Sequence, residues 1–111
     1  MPIPHDDLLT IGAWARGRVP AAHRDEWRIE CEIEPRHVTV VEVRSPSNDP
    51  GGAWTRSPLV RLRYTATTAL WSIYWRDDRG AFHRYAPFPP TSSIDAVLAR
   101  LDALDDPLLW G

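Results

Sequence analysis

Between Trp27 and Tyr85 the side chains change character at every second residue, and a period of two is the signature of strands. The clearest stretch is Trp27 to Ile33, where Trp27, Ile29, Cys31 and Ile33 alternate with Arg28, Glu30 and Glu32. One face is apolar and the other charged, so the strand is half-buried in a sheet. Glu34-Pro35-Arg36-His37 reads as a turn, with Pro35 supplying a fixed φ. The next strand, Val38 to Arg44, opens with Val38 and Val40 on one side and closes with Val41 and Val43 in the opposite phase. A β-bulge between Val40 and Val41 would keep both pairs on the core side.

Residues 45–58 are dense in Pro, Gly, Asn and Asp and read as a loop. Trp54 within it either pins the loop to the core or stands out as a contact residue. Leu59 to Thr65 is a third strand, with Val60, Leu62 and Tyr64 on one face and Arg61 and Arg63 on the other. Leu70 to Arg76 is a fourth, with Trp71, Ile73 and Trp75 apolar. Asp78-Arg79-Gly80 suits a three-residue hairpin loop with Gly80 left-handed. That loop pairs Arg76 with Phe82, Tyr74 with Arg84 and Ile73 with Tyr85. It turns His83 and Tyr85 inward, and Phe82 and Arg84 outward beside Tyr74 and Arg76.

At both ends the period becomes helical. Residues 6–17 place Leu8, Ile11, Trp14 and Ala15 on one side, with Asp6 as a cap, Asp7 at the positive end and Gly17 as a stop. After Pro87, Pro89 and Pro90, Thr91 or Ser92 opens a second helix, Ser92 and Asp95 resembling a capping box. Its stripe is Ile94, Val97, Leu98, Leu101 and Leu104. Pro107 ends it, leaving an apolar tail at 107–111. At 111 residues the chain is one α+β domain. The order is helix, five-stranded antiparallel sheet, helix. Both helices lie on the sheet face of Trp27, Ile29, Val60, Leu62, Trp71, Ile73 and Trp75.

Charge divides along the chain. Residues 1–35 carry four arginines against seven carboxylates, residues 36–90 eight against four, and residues 91–111 one against four. A net charge of −2 therefore hides a positive middle. Lysine is absent, which fits a general compositional bias, so only the placement of the arginines is informative. Arg61, Arg63, Tyr74, Arg76, Phe82 and Arg84 fall on the outer sheet face and form the candidate surface for an anionic partner.

Several chemistries find no support. The four histidines and Cys31 show no metal-ligand spacing. Gly51-Gly52 lacks the lysine and helix of a phosphate loop, and no cofactor motif is present. A single cysteine leaves no internal disulfide, and Cys31 reads as a small core residue. No apolar run is long enough to span a bilayer, and the first residues do not read as a secretory signal. These features together favour a cytoplasmic protein with no membrane partner.

The run Trp54-Thr55-Arg56-Ser57-Pro58, then Arg63-Tyr64, Leu70-Trp71, Tyr74-Trp75, His83-Arg84-Tyr85 and Trp110-Gly111 resembles the small bacterial proteins grouped as domain of unknown function family 3024. Arg44 before Pro46 fits the same pattern. The resemblance covers roughly residues 8–111 and is weakest in the first helix. It departs at Ala81-Phe82, where the family usually carries a basic residue followed by Trp. It implies a bacterial origin and brings no catalytic residues.

Three functions fit the positive face. The first is a non-enzymatic protein-interaction module with an acidic protein partner. The second is binding of RNA or single-stranded DNA, arginines neutralising phosphates and aromatics stacking on bases. The third is a metal-independent ribonuclease, with His83 moving the proton beside the arginines if it faces outward. The inward phase of His83 instead makes it a core histidine.

Overall fold

In a computed structural model, residues 3–46 and 52–103 are described. The elements are α1 (His5–Gly17), a 3-10 turn (Ala21–His23), β1 (Trp27–Ile33), β2 (His37–Arg44), β3 (Thr55–Thr65), β4 (Leu70–Arg76), β5 (Phe82–Arg84) and α2 (Ile94–Ala103). The strands form one antiparallel sheet in the order β1-β2-β3-β4-β5, so every neighbour in space is a neighbour in sequence. This is the expected α+β domain. The two helices lie on one face, where Ile11, Ala15, Val97, Leu98 and Leu101 meet Ile29, Val38, Val40, Val60, Leu62, Trp71 and Ile73. Leu104 and the tail at 107–111 lie outside the described residues. No helix among the described residues is long and apolar enough to cross a membrane.

Trp71 is the largest fully buried side chain among the described residues. Its indole N–H donates to the Asp7 carboxylate at 2.9 Å. Asp7 thus does more than complement the dipole of α1: it satisfies the polar atom of the central tryptophan. A second clasp joins the helices, where Asp102 accepts from the Trp14 indole at 2.9 Å and from Arg18 at 2.7 Å. Trp75, on the same sheet face, is only half-buried against the core, and the ring of His83 stacks on it.

Both helix caps differ from expectation. Pro4 occupies the N-cap of α1 with no side-chain cap, so Asp6 does not serve as one. Before α2, the Ser93 hydroxyl accepts from Ala96 N–H at 3.1 Å. Thr91 is occupied otherwise, exchanging both backbone bonds with Trp71 at 2.7 and 3.0 Å. Three hydroxyl residues in a row satisfy the same capping pattern, and the bridge to Trp71 selects among them.

The register shift falls between Val40 and Val41, as the phase slip indicates, but its consequence is different. Val40 pairs with Val60 and Val41 with Pro58, so the extra residue is Leu59 on β3. The alternation of β2 is unbroken: Val41 and Val43 pair with Glu30 and Arg28 and face away from the helices. They are nevertheless buried. Arg56 on β3 reaches across β2 to Glu30 and Glu32 on β1 at 2.9 and 3.0 Å. Arg28 on β1 stacks on Trp54 at 4.2 Å from the opposite direction. These side chains bridge over Val41 and Val43 and shield them with aliphatic stems and a ring.

The loop after β2 is also shorter than its prolines imply, because Thr55–Pro58 belong to β3. Pro58 is tolerated because β4 pairs with β3 only from Val60 onward, so one edge of β3 is free at Pro58. At the β3–β4 hairpin, Ala69 adopts φ 56°, a left-handed conformation that costs a residue with a Cβ about 1–2 kcal/mol.

Trp71→Ala should lower the unfolding free energy by about 3–5 kcal/mol, and Asp7→Ala by about 1–3 kcal/mol through the stranded indole N–H. Urea denaturation measures both, and a loss below ~1 kcal/mol for Trp71→Ala would contradict its central place. Ala69→Gly should stabilise by up to about 1 kcal/mol, the relieved strain exceeding the added chain entropy. A loss of stability there would contradict the strained turn.

Candidate functional site

The sheet face turned away from the helices carries all six side chains expected on it. Register places Arg61 beside Tyr74, Tyr74 beside Arg84, and Arg76 beside Phe82. Arg63 is two residues along from Arg61, on the same side. The hairpin that sets this phase is the expected three-residue loop. Asp77 holds it through its carboxylate, which accepts from the N–H groups of Arg79 and Ala81 at 2.9 Å each. Gly80 takes φ 86°.

This face has two halves. Over β1, β2 and the start of β3, arginine and carboxylate neutralise each other within the fold. The Glu30 and Glu32 hydrogen bonds hold the Arg56 guanidinium still more firmly protonated. Trp54 belongs to this half, fixed by Arg28 on the outer face and not in the core. Over the rest of β3, β4 and β5, Arg36, Arg63, Arg76 and Arg84 make no ion pair among the described residues. Arg61 is held in place between the Thr39 hydroxyl, which accepts from its Nε at 3.1 Å, and the ring of Phe82, 4.0 Å away.

These residues border a cleft of about 290 Å³ lined by Arg36, His37, Arg61, Arg63, Tyr74 and Phe82. A shallower hollow on the other side of Tyr74 is lined in part by Arg63, Ser72 and Arg84. Two residues absent from the expected set therefore join it. His37 lies directly opposite Arg63, and Arg36 accepts the Tyr64 N–H at 2.8 Å. The signal was available in the turn: once the hairpin after Ile33 closes at Pro35, the start of β2 must lie beside the end of the third strand. Desolvation holds the His37 imidazole below its ordinary 6.5, with Arg61 and Arg63 adding to the effect and Glu34 opposing it.

His83 is placed otherwise. It pairs with Trp75, on the helix side of the sheet, as its phase indicates. It is not a core histidine: its side chain is 47% exposed, on a three-residue edge strand. Its ring stacks on Trp75 at 4.8 Å, and its Nε2 meets the Asp77 carboxylate at 2.6 Å. That bond, with those from the loop N–H groups, keeps the Asp77 carboxyl below its usual range. The sheet separates His83 from the arginines, so the arrangement that a ribonuclease would need is not formed around it.

Cys31 is half-buried, and burial pushes its thiol up to about 11, leaving it un-ionised and a poor nucleophile at neutral pH. Among the described residues no group of three or more His, Cys, Asp or Glu side chains converges to hold a metal ion. No curated protein and no solved structure matches the chain. The match to a family model does, over residues 3–111, and on it the chain belongs to the family described as Domain of unknown function (DUF3024).

Proposed function

We propose that the chain is a non-enzymatic binding module that takes a single-stranded nucleic acid on the β3–β5 half of its outer sheet face. The observation that carries this reading is the split within one face. Where the fold needs its arginines, it pairs them with Glu30 and Glu32 or stacks them on Trp54. Where it does not, Arg36, Arg63, Arg76 and Arg84 stand around Tyr74 with no ion pair among the described residues. Solvation alone gives no reason for such a division.

An acidic protein surface would also neutralise these arginines. The placement of Tyr74 favours nucleic acid over it. Arg61 and Arg84 flank Tyr74 in one row across three strands. Neighbouring strands lie about 4.8 Å apart, so the backbones of the two arginines stand one strand spacing from that of Tyr74 on either side. A base stacked on Tyr74 would have a phosphate within reach of each. Carboxylates on a protein need no central ring.

Binding should weaken linearly with the logarithm of salt. Arg63→Ala with Arg84→Ala should reduce that slope by about one to two phosphates. Tyr74→Ala should cost roughly 1–3 kcal/mol per stacked base without changing the slope. Fluorescence anisotropy on mixed DNA and RNA oligonucleotides reads all three. Equal binding of poly-glutamate, with Tyr74→Ala silent, would transfer the site to an acidic protein, and no binding of either at low salt would remove it.

The site should also respond to pH. His37 faces Arg61 and Arg63 from β3 and Arg36 and Glu34 from its own turn, and its neutral form is favoured in the free protein. A bound phosphate stabilises the imidazolium and raises that pKa, so binding takes up a proton. Affinity should therefore rise as pH falls toward and below 6.5, and His37→Gln should flatten the profile. An identical profile in His37→Gln would place the titrating group elsewhere.

A further inference from the structure

β1 is an edge strand, and its backbone phase can be read from the bonds at its two ends. Ser45 N–H donates to the Glu26 carbonyl and Glu34 N–H to the His37 carbonyl, each at 2.9 Å. Both are bonds between directly opposite residues, and the β1–β2 register has no shift between them. In an antiparallel ladder such pairs recur at every second residue. Arg28, Glu30 and Glu32 therefore direct their N–H and C=O groups to β2. Trp27, Ile29, Cys31 and Ile33 direct theirs to the other edge, which no described strand pairs.

Two more features mark this edge. Ile33, the last residue of the strand, is 58% exposed, one of two exposed large hydrophobics among the described residues. Beside it runs a groove of about 350 Å³ between α1 and β1, bordered by Gly12, Ala15 and Arg16 on one side and Ile29, Cys31 and Ile33 on the other. A strand added to the edge would send its apolar side chains into this groove.

We propose that the occupant is a second copy of this chain, paired antiparallel through β1 about a two-fold axis at Glu30. The free groups restrict the register. Residues exchanging hydrogen bonds across the new seam must all be odd-numbered. Only an axis at Glu30 uses all four, pairing Trp27 with Ile33 and Ile29 with Cys31 of the partner copy. Within β1 the same register sets Arg28 opposite Glu32 twice, against one Glu30–Glu30 contact whose carboxylates are each already bound by Arg56, and just beyond the strand it brings Glu26 opposite Glu34. On the groove side, Trp27 of each copy would cover the exposed Ile33 of the other. An axis at Glu30 runs normal to the sheet, so the arginine halves of both copies face the same way.

The full-length chain tests this. Sedimentation equilibrium should give twice the 12.6 kDa of the single chain. Ile33→Pro removes an N–H that β2 does not use and should give monomers, and Ile33→Glu, which leaves the backbone intact, should do the same if the proline variant folds poorly. In a Cys31→Ser background, Glu30→Cys should form an intermolecular disulfide at least tenfold faster than Arg28→Cys. Residue 30 meets itself at a non-hydrogen-bonded pair with Cα atoms about 4.5 Å apart, within the range a disulfide spans. A monomer at millimolar concentration would overturn the proposal, as would a dimer indifferent to both Ile33 variants or one in which Glu30→Cys does not cross-link. Oligonucleotide binding by a monomeric protein would leave the nucleic-acid reading standing and remove only this one.

Discussion

The single extra residue at Leu59 sets the character of the whole outer face. Arg56 and Pro58 are even-numbered, and Arg61 and Arg63 are odd. In an unbroken strand they would point to opposite sides of the sheet. The bulge resets the phase, so that all four lie away from the helices and Val60, Leu62 and Tyr64 lie toward them. Without it, either Arg56 would enter the core or the downstream arginines would. The arginine–carboxylate bridge over Val41 and the open cluster around Tyr74 both depend on that one insertion.

This dependence explains what could be read in the sequence. β1 and β4 were legible to the residue, because each keeps one phase from end to end and has clear turn chemistry beside it. The β4–β5 hairpin was legible because Gly80 fixes its loop length, and with it the outward set Tyr74, Arg76, Phe82 and Arg84. The bulge was legible in position but not in ownership. A phase slip in β2 can be absorbed on either strand of the pair, and only the partner's register shows which. Proline misled at Pro58: in a strand it signals an end, unless the neighbouring strand has not yet begun.

The candidate surface was only partly legible for a related reason. Arg61, Arg63 and Arg84 declare their face by alternation. Arg36 and His37 sit where a turn meets a strand, and alternation says little there. The neutralised half of the face was hidden for another reason, since Glu30 and Arg56 are far apart in sequence and meet only because β2 runs between them. Net charge by segment assigned Arg56 to the positive middle, but in the fold it belongs to the acidic strand.

The same central position of β2 sets the order in which the molecule must come apart. β1 and β5 each have one open edge, and the first residues of β3 have lost β4 on one side. Only β2 is paired along its length on both sides, and Val38, Thr39, Val40, Val41 and Val43 are all buried. Its amides can reach solvent only when both flanking ladders open. Hydrogen exchange in β2 is thus tied to global unfolding, whereas β5 can fray while the rest of the sheet stays closed. The strand that carries none of the arginines around Tyr74 is the one that keeps their geometry.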